Sequence, residues 1–86
     1  MINLKEACQI ISSKYPGEYI HVVNEFETVF GFILLKKGEN ISEITGILPV
    51  STVNKKTGEV TDNLWGYEDV FQGDYKQYTQ SDLERL

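Results

Sequence analysis

Apolar and polar positions alternate with different periods along the chain, and the changes of period mark the elements. Leu4, Ala7, Cys8 and Ile11 recur at i, i+3, i+4 and i+7, a single apolar stripe that predicts an amphipathic helix over 3–14. Asn3 is a suitable N-cap, and Glu6 three residues later completes a capping box. Pro16-Gly17 disfavours helix at Tyr15, so the helix should end near Lys14. Two strands should follow, over 19–24 and 28–36, both rich in β-branched and aromatic residues. The connection, Glu25-Phe26-Glu27, is short enough for an antiparallel hairpin. In the second strand Phe30, Phe32 and Leu34 point one way, and Val29, Gly31, Ile33 and Leu35 the other. Both faces are apolar, which marks a central strand.

Beyond a solvated turn at 36–40 the pattern weakens. Residues 41–54 favour a third strand, but Pro49 lacks a ladder donor and should kink it. The polar run Asn54-Lys55-Lys56-Thr57-Gly58 then predicts a second hairpin, with strand character resuming at Glu59-Val60-Thr61. A short helix is expected over 66–72 with Gly73 as its C-cap, and a further helical turn over 81–86. The expected fold class is α+β: an N-terminal helix packed on an antiparallel sheet of three or four strands, with a short C-terminal helix.

Composition narrows what such a fold can do. The chain has 86 residues, 41% apolar and 24% charged, so one domain with one modest core is expected over 1–86. That leaves no room for an enclosed cofactor cavity, and no cofactor is expected. The net charge of −5 has the wrong sign for a protein that binds nucleic acid by neutralising phosphates. Cys8 is the only cysteine, which excludes an intrachain disulfide and fits a reducing, cytoplasmic setting. The N-terminal residues lack a signal-peptide pattern. The longest apolar stretch, residues 29–35, is far short of the ~20 residues that cross a bilayer, so no membrane partner is expected.

Catalytic chemistry finds little support. His21 is the only histidine and, by alternation, shares a strand face with Tyr19 and Val23. A nucleophilic pair with Cys8 is conceivable, but Cys8 belongs to the helix's apolar stripe, where a small buried hydrophobe is the plainer reading. One His and one Cys cannot build a structural zinc site, and no acidic loop has calcium spacing. The chain is therefore not expected to be an enzyme.

Charge placement is more informative than its total. Residues 1–56 hold six lysines against six glutamates, whereas residues 57–86 carry the whole net charge of −5. That last segment also holds five of the ten aromatics: Trp65, Tyr67, Phe71, Tyr75 and Tyr78. Acids interleaved with Tyr and Trp suit a partner-facing surface in which aromatics anchor and the field steers a basic protein. The candidate residues are Trp65, Tyr67, Glu68, Asp69, Asp74, Tyr75 and Tyr78. The alternative is that the aromatics close the core and the acids keep the chain soluble.

One segment carries a family resemblance. Residues 46–60, Gly-Ile-Leu-Pro-Val-Ser-Thr-Val-Asn-Lys-Lys-Thr-Gly-Glu-Val, together with Val29-Phe30-Gly31-Phe32 and the leading helix, resemble the immunity protein 35 family and the related YrhB-type small bacterial proteins. The matching positions are Gly46, Pro49, Val53, Asn54, Lys55, Thr57, Gly58 and Glu59; Ile47 stands where the family often has Asn. The resemblance implies a small α+β protein that neutralises a cognate toxin by occlusion and brings no catalytic residues. A toxin domain with a basic cleft is the partner it suggests. The rival expectation is a structural or regulatory interaction domain that homodimerises.

Overall fold

A computed structural model describes residues 1–38, 50–64, 71 and 73–86. The chain begins with α1 (Leu4–Lys14), then β1 (Glu18–Glu25), β2 (Val29–Lys36), β3 (Val50–Asn54), β4 (Val60–Leu64), β5 (Lys76–Tyr78) and α2 (Gln80–Leu83). The strands form one sheet in the order β4-β3-β2-β1-β5, antiparallel at every pairing. The α+β class is therefore as expected, with a fifth strand added at the β1 edge. No helix among the described residues is long and apolar enough to cross a membrane.

Local chemistry sets α1. The Asn3 Oδ1 accepts from the Glu6 N–H at 2.9 Å, and the Glu6 carboxylate accepts from the Asn3 N–H at 3.4 Å. These two bonds satisfy donors that a helix start leaves without partners. The Tyr15 N–H donates to the Ile11 carbonyl, and Pro16 follows at once. The helix then lays its stripe on the sheet: Ala7 and Ile11 are buried with Val23, Phe30, Phe32 and Val53, while Leu4 and Cys8 pack at the margin.

β2 is the central strand that its two apolar faces predict. Phe30 and Phe32 join the core beneath α1, with Leu34 packed against it, while Val29 and Leu35 are buried on the opposite face. That second face closes tightly over Gly31. A Cβ there would lie 3.2 Å from Val50 Cγ1 and 3.4 Å from both the Phe26 and Phe71 rings. Only hydrogen fits without displacing a neighbour.

The alternation expected for β1 does not survive. Ile20 pairs with Leu34 and Val22 with Ile33, so a bulge at His21 shifts the register. The shift puts Ile20 and Val23 on the α1 face together, and Tyr19, opposite Leu35, on the other. His21 thus does not share a simple alternating face with Tyr19 and Val23.

The second hairpin forms as predicted. Asn54 Oδ1 accepts from the N–H groups of Lys56 at 2.8 Å and Thr57 at 3.1 Å, and the Gly58 N–H donates to the Asn54 carbonyl at 2.8 Å. The Asn54 N–H donates to the Glu59 carbonyl at 2.9 Å and so closes the turn. Gly58 has φ of +74°, and a Cβ on it would approach Ile2 Cδ1 to 2.9 Å. Gly58→Ala should therefore lower stability by about 1–2 kcal/mol, measured as a reduced urea midpoint at unchanged m.

Only the last part of the third strand expected over 41–54 is described, as β3; Pro49 and the residues before it lie outside the described residues. So does the helix expected over 66–72, apart from Phe71. The C-terminal turn expected over 81–86 is real but shorter and earlier, as α2.

Candidate functional site

The described part of the acidic, aromatic segment divides between the two faces of the sheet. Trp65, Tyr67, Glu68 and Asp69 lie outside the described residues. Asp74 is exposed, and Tyr75 is 57% exposed. Tyr75 is nevertheless held: its ring lies 5.3 Å from that of Phe26, which is itself 5.2 Å from Phe71. Both ring pairs are tilted at separations typical of attractive aromatic contacts. A large aromatic is thus fixed from behind and open in front, with a carboxylate beside it in sequence.

Tyr78 belongs to a different place. It pairs with Val23 and packs at the margin of the α1-side core. Its hydroxyl donates to Glu25 Oε1 at 2.8 Å, and the Lys55 ammonium donates to Glu25 Oε2 at 2.8 Å. Lys55 Nζ also stands 5.0 Å from the centre of the Phe30 ring, a cation–π contact. The Lys55 bond, followed by the Tyr78 bond, holds the Glu25 carboxyl below the ordinary glutamate range against a partial burial that acts the other way. Burial, then the neighbouring Glu25, pushes the Tyr78 phenol up. The cluster ties β1, the β3–β4 turn and β5 together. Of the three residues, only Tyr78 was a candidate from sequence. Its role here is to hold β5 against β1.

The cluster escaped the sequence reading because Glu25 and Lys55 are 30 positions apart and each sits in a turn-like polar run.

Further charge pairs are peripheral. Lys14 Nζ and Asp62 Oδ2 are 3.9 Å apart on the surface, a contact of little energetic consequence. Asp82 Oδ2 accepts from the Thr79 N–H at 2.9 Å, which holds that exposed carboxyl below its ordinary value. Among the described residues no group of His, Cys, Asp and Glu is arranged to hold a metal ion.

Cys8 lines a cleft with Glu18, Tyr19 and Ile20, and His21 is not among that cleft's walls. Burial pushes the Cys8 thiol up, opposite to what a nucleophile needs. Alkylation of Cys8 in the native chain should run roughly three- to tenfold slower than in denaturant at pH 8, followed by mass spectrometry. A native rate above the denatured one would mark an activated thiolate.

Searches against protein-family profiles, curated proteins and solved structures find no match for the chain.

Proposed function

We propose that this chain is a small protein-binding domain of the immunity type, which neutralises a cognate bacterial toxin by covering its active site or substrate groove. The observation that carries the reading is Tyr75, 57% exposed yet backed by Phe26, whose ring in turn packs on Phe71, beside the exposed Asp74. An aromatic whose position is already fixed loses little conformational entropy when a partner covers it, which is what an interface anchor requires. The net charge of −5 carried by residues 57–86 would speed association with a basic surface. The resemblance of residues 46–60 to immunity proteins supports the same reading. Occlusion needs no chemistry from the binder, in keeping with the raised Cys8 thiol.

The test is purification of the tagged full chain from its native host, followed by a toxicity assay on whatever co-purifies. A stoichiometric partner that is toxic alone and harmless with the chain is the expected result. Reversing Glu68, Asp69 and Asp74 together should weaken that complex and flatten its salt dependence. A tight homodimer in sedimentation that buries Tyr75, with no toxin captured, would overturn the reading in favour of a self-associating domain.

A further inference from the structure

A second surface lies apart from Tyr75. The helices α1 and α2 and the start of β1 border an open cleft of about 490 Å³, within the roughly 300–1,000 Å³ typical of ligand-sized sites. Cys8, Ile20 and Leu83 line it, all three partly buried and packed against the core. Glu18 and Glu84 line it as well, and no lysine or arginine does. Of the nearby cations, Lys14 stands 3.9 Å from Asp62, and Lys36 is the cross-strand neighbour of Glu18 without being among the cleft's walls. The Gln80 amide donates to the Ile20 carbonyl at 3.4 Å and links α2 to β1 across the cleft.

An apolar lining with two carboxylates and no basic residue matches one kind of side chain well. A lysine or arginine can lay its methylene stem on apolar surface while its charged head reaches an acid. We propose that this cleft is a docking site for a basic, amphipathic segment of a protein partner, with a lysine or arginine stem against Cys8, Ile20 and Leu83 and its charge toward Glu18 and Glu84. A small-molecule ligand is a poorer match. Among the described residues the buried polar atoms left without partners, the Tyr15 hydroxyl and Asn24 Oδ1, belong to residues outside the cleft walls, so neither is available to orient one. The inference rests on the reading of the chain as a protein-binding domain, and it adds a place of contact and the chemistry of the contacting segment.

The probe is a twelve-residue peptide alternating leucine and lysine, titrated into the isotopically labelled full chain, with a leucine–glutamate peptide as control. Amide shifts should concentrate at Cys8, Ser12, Ile20 and residues 80–86, and the acidic peptide should cause none. The double variant Glu18→Lys, Glu84→Lys should weaken binding at least tenfold at low salt, an effect of about 1.4 kcal/mol. If that variant fails to fold, Glu18→Gln with Glu84→Gln should still weaken binding severalfold. Shifts centred on Asp74 and Tyr75, or equal binding of the acidic peptide, would overturn the cleft and leave the toxin reading intact. Cleft binding in a chain for which no toxin is found would support the cleft and count against the toxin reading alone.

Discussion

Replacing Phe32, the largest fully buried side chain among the described residues, with alanine is expected to cost about 3–5 kcal/mol. Phe32 is fully buried and belongs to the central strand β2, so its ring meets residues of the helix and of the flanking strands at once. Its β1 partner in register is Val23 and its β3 partner is Ser51. A cavity there cannot be filled by one neighbour moving inward, because α1 covers it and both flanking strands are held by their ladders. A domain of this size is stable by roughly 4–13 kcal/mol, so the variant should be largely unfolded at the low end of that range. Urea denaturation followed by circular dichroism measures the loss. Phe32→Leu, which keeps most of the volume, should cost only about 1–1.5 kcal/mol. Equal losses for the two variants would show that ring shape, not cavity formation, sets the stability of this core.

Such a core was largely legible from periodicity, because it depends on patterns that repeat locally. The stripe Leu4, Ala7, Cys8 and Ile11 and the cap at Asn3 define α1 whatever the rest of the chain does. The two apolar faces of β2 place it centrally in the sheet without knowledge of its neighbours. β5 is the contrary case. Lys76-Gln77-Tyr78 has no apolar alternation, and it becomes a strand only because β1 offers an unpaired edge at Val23, Asn24 and Glu25. The bulge at His21 was equally hidden. Period-two counting assigns faces correctly only while the register is unbroken.

The candidate site was legible in composition but not in arrangement. Counting acids and aromatics in residues 57–86 placed Tyr75 and Tyr78 in one group. The sheet separates them: Tyr75 packs on Phe26, whose ring borders Gly31 on the second face, and Tyr78 packs at the margin of the core under α1. A strand side chain's surroundings depend on which strand it pairs with and in what register, and a charge count contains neither. The residues that carry the family resemblance show a related division. Among those described, Val53 is core, Asn54, Thr57 and Gly58 build the turn, and Lys55 holds Glu25. They are scaffold. In this chain the Asn-Lys-Lys-Thr-Gly turn therefore builds the sheet, and partner choice should be sought on the exposed acids and Tyr75.

The second large effect is expected at Glu25, where charge and topology meet. Glu25→Ala removes the acceptor for both Lys55 and Tyr78 and should cost about 2–3 kcal/mol, less than for a fully buried pair because Glu25 remains partly exposed. Lys55 is the partner that suffers. Its side chain is only 13% exposed, and its backbone is fixed, since the Lys55 N–H donates to the Thr28 carbonyl and the Ile2 N–H donates to the Lys55 carbonyl. The same ammonium stands 5.0 Å from the centre of the Phe30 ring. Glu25→Gln keeps an acceptor for both donors and should cost about 1 kcal/mol. The same comparison isolates a pH effect whose sign is fixed. The folded-state pKa of Glu25 lies below its unfolded value, so its contribution is complete above the ordinary glutamate value and is lost as pH falls through the lower folded one. Between pH 5 and pH 3 the unmodified chain should therefore lose more stability than Glu25→Gln, with the two melting temperatures converging. Parallel melting curves across that range would mean that the Lys55–Glu25 contact holds geometry without contributing charge stabilisation.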